Sequence, residues 1–383
     1  MRSQISSAQF RPLAWLTLAI LCSRVGAGEA PLGETRIDGP ATCSTSGCHG
    51  GASETSRQYA IWSQRDVHSR SYATLTSARS ARMAEALQIP DPTKSNRCTA
   101  CHAPLAAVAP ALLAANAHVE DGVTCVSCHG PATDDWIRRH TRKDWSHADR
   151  VAAGMRELRN LYGRANACVA CHQNIDPELV RVGVHPQLIF ELDGQTASEP
   201  PHWREQAGWH GAKAWYVGQA VALRELSWAL AHQRTEAGLD GARWSALVWL
   251  LGQCSPDSSP SPFSRLSSDQ TPAAYAAALD AADAAARQAA DTNWSPDAVK
   301  TVLRQLAATH PAFRASGVSA PVLARRAERL VLALDRLIAS LPVNERPKAG
   351  GEPLDRLFQL AQSVPDFEPA DFAAALARFE QAL

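Results

Sequence analysis

The sequence predicts a mainly α-helical protein in two parts: an irregular N-terminal region followed by a helical C-terminal bundle. Three observations predict it. Residues 29–210 concentrate eight of the ten cysteines and eleven of the thirteen histidines, with Gly and Pro breaking up any regular period. Beyond residue 211, apolar residues recur at helical spacing. A Ser/Pro-rich break at 254–270 divides that helical part in two.

Residues 1–28 read as a secretory signal. Arg2 and Arg11 form a basic flank, and Leu13 to Cys22 is a largely apolar run of ten residues, too short to span a bilayer. Gly26, Ala27 and Gly28 supply small residues for cleavage, and Leu21 before Cys22 argues against a lipid-attachment site. Removing these 28 residues takes away three Arg and no acid, so a formal net charge of zero becomes −3. That balance gives no reason to expect nucleic acid or an anionic membrane as partner. The expectation is a periplasmic or otherwise exported protein, soluble after cleavage and without stable membrane insertion.

Region 29–210 carries the chemistry. Ten cysteines in an oxidising compartment ordinarily suggest disulfides, but the spacing here does not. Cys98-Thr-Ala-Cys101-His102, Cys125-Val-Ser-Cys128-His129 and Cys168-Val-Ala-Cys171-His172 are three copies of C-x-x-C-H. Cys43-Ser-Thr-Ser-Gly-Cys48-His49 is a fourth with a longer spacer, in which Gly47 is expected to ease the turn. Two thiols form thioethers with one porphyrin, and the next histidine is thereby held under its iron. Zinc sites and disulfides need no histidine after every second cysteine. Four covalently attached haem c groups follow, so this is a tetrahaem cytochrome c domain. A polar, Gly/Pro-interrupted stretch of this size needs such an apolar filler. The 11 Trp fit either flat haem faces or an ordinary core. The cluster Arg138, Arg139, Arg142, Lys143, Arg150, Arg156, Arg159 and Arg164 fits either haem propionates or a solvated basic face.

An iron that only passes electrons wants a second axial ligand. Nine histidines remain: His68, His118, His140, His147, His185, His202, His210, His232 and His310. His232 and His310 lie in helical stretches far from the motifs and read as structural.

Residues 211–253 form a helical extension. Trp215, Ala222, Leu226 and Ala229 share one helical face, as do Trp244, Val248 and Leu251. After the linker, 271–383 is a helical region in which Leu323, Ala327, Leu330, Leu334 and Leu337 make one apolar stripe suited to helix-on-helix packing. Two short helices split by Pro365 are expected over 353–383.

The stretches CSTSGCHGG (43–51), YAIWSQRDVHSRSYATL (59–75), EDGVTCVSCHGPATDDWIRRHTRKDW (120–145) and GVHPQLIFEL (183–192), with Pro201-His202-Trp203, resemble the multihaem cytochromes of the c-554/c-prime family. The resemblance covers about residues 40–230 and implies a fold of irregular chain wrapped on haems. It implies His68, His140 and His185 as distal ligands, with His147 competing for the second place. His202 is preferred for the fourth iron, with His118 second; the family permits a five-coordinate iron. Longer relatives often carry a further haem motif after the helices. Here Trp244–Ser258 retains only Cys254, which reads as a remnant. Asn174–Glu178 also lacks the histidine those relatives place there. The function implied is electron transfer between a redox donor and a redox acceptor, with no catalytic residue. The alternatives are a multihaem oxidoreductase acting on a small nitrogen compound at a five-coordinate haem, and a haem-bearing scaffold or sensor subunit. No C-x-x-C-K site marks a catalytic haem.

Overall fold

The computed structural model describes residues 36–130, 134–205, 211–235, 237–255, 260–267, 269–362 and 366–383. The expected signal segment, His210 and Pro365 lie outside them. The fold is mainly α, and among the described residues the β structure is a single parallel bridge between Ile37 and Leu113.

The first half is a string of short helices: α1 Gln58–Arg65, α2 Ser71–Leu75, α3 Ala78–Ala86, α4 Asn96–His102, α5 Cys125–His129, α6 Asp134–Arg139, α7 His147–Ala152, α8 Leu161–His172, α9 Pro177–Arg181 and α10 Leu192–Ser198. Local chemistry fixes their starts. The side chains of Ser77, Ser146, Asn160 and Asp176 accept backbone N–H groups at the first turns of α3, α7, α8 and α9. Gly130 ends α5 at φ +96°, and an added Cβ there would stand 2.8 Å from the Gly154 carbonyl oxygen. This half has little core of its own. Before residue 211, the main hydrophobic cluster takes only Leu161, Ala165, Val169, Phe190 and Leu192 among its buried members.

The second half holds the helices expected from the apolar period: α11 Gly211–Ala231, α12 Ala237–Gly252, α13 Pro272–Asp291, α14 Pro296–Ala307, α15 Ala320–Ser340, α16 Glu352–Ala361 and α17 Pro369–Gln381. α11 is the axis, packed by α12, α13 and α15. The buried face of α13 is Ala278, Ala282, Ala285, Ala286 and Ala289, and such small side chains let helix backbones approach closely. All five residues of the α15 stripe are buried. Trp215 and Trp244 are fully buried in this protein core, and the Trp244 indole N–H donates to Ser227 Oγ at 2.9 Å. These indoles are therefore ordinary core residues.

The two halves meet through α8, whose C-terminal end carries Cys168, Cys171 and His172. The Tyr162 hydroxyl on α8 donates to Asp283 Oδ1 of α13 at 2.6 Å. Arg224 of α11 donates to the same carboxylate at 2.8 Å and to Asn166 of α8 at 2.6 Å. A second tie joins the segment between His185 and His202 to α15. Arg329 pairs with Glu191 at 2.6 Å and Arg336 with Asp193 at 3.1 Å.

Candidate functional site

Three cysteine pairs stand on helices. α4 carries Cys98, Cys101 and His102; α5 carries Cys125, Cys128 and His129; α8 ends in Cys168, Cys171 and His172. Cysteines three apart share one helical face, and the histidine is four beyond the first of them. The fourth segment is irregular. A 3₁₀ turn over Pro40–Cys43 leads into bends closed by the His49 N–H on the Cys43 carbonyl at 3.1 Å. Gly47 is not what permits it: its φ is not positive, and an added Cβ there would meet nothing within 4 Å. Gly50 and Gly51 are the constrained positions. A Cβ at Gly50 would collide with the Ser44 carbonyl oxygen, and one at Gly51 with Ser56 Oγ.

The eight histidines expected as axial ligands come together in four pairs. Ring centres lie 6.2 Å apart for His49 and His140, 6.0 Å for His172 and His68, 6.4 Å for His102 and His185, and 6.3 Å for His129 and His202. Every pair joins one motif histidine to one expected distal histidine. A metal–imidazole nitrogen bond is about 2 Å and the ring centre lies about 1 Å further, so two imidazoles on opposite sides of one metal have centres about 6 Å apart. The residues present therefore fit a haem iron between each pair. The partners are not neighbours in sequence: His68, which follows the Cys43/Cys48 motif, faces His172 of the Cys168/Cys171 motif, and His49 faces His140. The rival candidates stand apart. His147 Nε2 lies 2.6 Å from Glu157, His118 is exposed, His232 lies on Trp228 and His310 pairs with Glu380.

Six of the eight have Nδ1 against an oxygen. The acceptors are Gln58 Oε1 for His49, Asp66 Oδ1 for His68, and the carbonyls of Ser71, Trp136, Pro186 and Pro200 for His102, His140, His185 and His202. Carbonyl and carboxylate oxygens only accept, so Nδ1 carries the proton and Nε2 keeps its lone pair for a metal. The Gln58 amide is oriented by its NH₂, which donates to the Thr55 carbonyl. Burial pushes His129 down to about 4, helped by His202 and His49 nearby. Burial also lowers His102, His140 and His172. Neutral imidazole is the form that ligates.

Thiols from different motifs lie side by side in two places. Cys43 lies against Cys125, and Cys101 against Cys171, each pair at hydrogen-bond contact. No disulfide joins any of the described cysteines. Cys254 is buried, with Sγ 3.4 Å from the Leu250 carbonyl oxygen, and burial pushes its thiol far up.

The surroundings are partly ones the sequence left open. Trp136 stacks on His140 with ring centres 4.3 Å apart, and Trp203 meets His202 edge-on. The basic residues brace the ligand-bearing segments. Arg156 donates to the Ser127 and Cys128 carbonyls at the end of α5, Arg150 donates to the His140 carbonyl, and Arg164 pairs with Glu205. Arg142 pairs with exposed Asp144, and the Arg138 side chain lies outside the described residues. Four of the large apolar side chains left exposed lie beside distal histidines: Val67 next to His68, and Val182, Val184 and Ile189 around His185. Asp66 was not singled out from the sequence; its signal was the spacing Asp-x-His.

No described helix is long and apolar enough to cross a membrane. Residues 42–130 match the model of a family described as cytochrome c554 and c-prime. The matched stretch includes Cys43 to His129, hence three of the four cysteine-pair motifs and His68. This supports the resemblance drawn from the sequence and a c-type haem protein. No curated protein and no solved structure matches the chain.

Proposed function

We propose that this c-type haem protein is an exported tetrahaem electron carrier working between a redox donor protein and a redox acceptor protein. Cys43 and Cys48, Cys98 and Cys101, Cys125 and Cys128, and Cys168 and Cys171 would hold the four haem c groups. His49 with His140, His102 with His185, His129 with His202, and His172 with His68 would be the axial ligands. The observation that carries this reading is the set of four histidine pairs at the separation one metal requires. Haem c supplies reversible one-electron chemistry when bound, at a potential set by its ligands and surroundings.

The chain's own residues favour a carrier. A histidine on each side of a metal position leaves no place for a substrate. The Cys43 and Cys125 thiols lie side by side, as do those of Cys101 and Cys171, which supports neighbouring haems at those two pairs of motifs. Residues 29–210 would form the electron-transferring part. Residues 211–253 and 271–383, with 254–270 linking them, would hold α8 and α10 in place. Turnover of a small nitrogen compound would need one distal position open, which none of the four pairs offers.

The test is haem count and ligand accessibility. The intact mature protein should exceed its apo mass by four haems, and the reduced protein should give an unchanged absorption spectrum under carbon monoxide. An excess of three haems, or a carbon monoxide complex forming without denaturant, would overturn this reading.

A further inference from the structure

One of the paired histidines is held differently from the rest. His68 lies on the 3₁₀ turn Val67–Arg70, and Asp66 Oδ1 accepts both its backbone N–H and its Nδ1–H at 2.9 Å. Asp66 is only 2% exposed, so water does little to screen its charge. The acceptors seen for the other paired histidines are all neutral, one side-chain amide and four backbone carbonyls. Glu199 brings a second carboxylate: its oxygen, the Asp66 oxygen and the His68 ring nitrogen all lie within 4.8 Å of one another.

A carboxylate that accepts the outer N–H of a ligating imidazole makes it a stronger donor and fixes its orientation. Negative charge beside a metal centre also favours its more positive oxidation state, and hydrogen bonding and burial are recognised levers on haem potential. Both effects act in one direction at His68, and a neutral acceptor lacks them.

We propose that Asp66 is a positioning residue that lowers the reduction potential of the centre held by His68 and His172 and so differentiates it from the other three. This rests on the four-pair reading above. The iron changes charge by one electron, no bond forms or breaks, and Asp66 acts only through His68.

The test is spectroelectrochemical titration of the full-length holoprotein. Asp66→Asn keeps an oxygen that accepts both N–H groups and removes the charge. One of four midpoint potentials should move positive while three stay, and Asp66→Glu should return it toward the wild-type value. Gln58→Glu tests the converse, at a partly exposed position that does not threaten folding. It sets a carboxylate against His49 Nδ1, which Gln58 now meets at 3.2 Å, and should move a different midpoint negative. Should Asp66→Asn fail to mature, Gln58→Glu alone decides. Four low-spin centres whose midpoints are unmoved by these substitutions, or a negative shift in Asp66→Asn, would overturn the proposal. A wild-type protein that titrates with fewer than four centres, or that already holds a high-spin haem, would instead remove the four-pair reading beneath it.

Discussion

At the scale of single residues, His140 and His147 make the sharpest contrast. They lie seven positions apart in a basic stretch, and either could follow the third motif as a ligand. His140 faces His49 at 6.2 Å and is stacked under Trp136, whereas His147 Nε2, the nitrogen a metal would need, is taken by Glu157 at 2.6 Å. His140→Ala should therefore turn one of four haems high-spin and open it to carbon monoxide, while His147→Ala leaves the spectrum unchanged. The reverse pattern would exchange their roles. The cysteine-pair motifs were legible in the sequence because attaching a haem by two thioethers would force two cysteines and a histidine to be adjacent. Which histidine stands opposite which motif histidine was not, because the pairs form across large sequence separations that only the fold closes. Gly47 was misjudged for a related reason. Glycine content marks a turn, but the crowding that requires glycine falls on Gly50 and Gly51, against Ser44 and Ser56.

At the scale of elements, the C-terminal helices were legible from apolar period, since α11, α12 and α15 bury the faces that the spacing assigns. The short helices before residue 200 were not, because their stripes are too brief to carry a period. Their ties to the bundle combine polar pairs with a few buried apolar residues of α8 and α10, all long-range, and no local pattern announces them. α10 shows the cost of such a tie. Asp193 is buried beside Glu191 and meets Arg336 at 3.1 Å, with its other oxygen unsatisfied. Burial first, then Glu191, pushes the Asp193 carboxyl up to about 6 against the pull of Arg336. An unfolded chain binds that proton only below about pH 4. The folded-state pKa is the raised one, so the stabilisation is fully present below about pH 4 and lost as pH rises through about 6. Asp193→Asn mimics the protonated form at every pH. Its stability relative to the wild type should rise by up to about 3 kcal/mol between pH 4 and pH 7 in denaturant titrations. A stability difference that does not change with pH would show that folding leaves the Asp193 carboxyl unshifted.

At the scale of the whole molecule, the protein divides its labour between two kinds of core. The helical bundle is filled by its own Leu, Ala, Phe and Trp, while the irregular half contributes few buried side chains and sets histidines in facing pairs instead. Cys254 belongs to the first kind. It sits in the hydrophobic cluster with Leu250, Leu251 and Phe263, where a thiol behaves as a small apolar group. Cys254→Ser should leave haem count, absorption spectrum and oligomeric state unchanged; a disulfide-linked dimer abolished by this substitution would contradict that placement. The central claim is that every haem in the molecule is held by two histidines. Electron paramagnetic resonance of the oxidised holoprotein, integrated against its haem content, tests it most directly. Four haems per chain, all low-spin, is the result this account predicts, and a high-spin signal integrating to one haem per chain would contradict it.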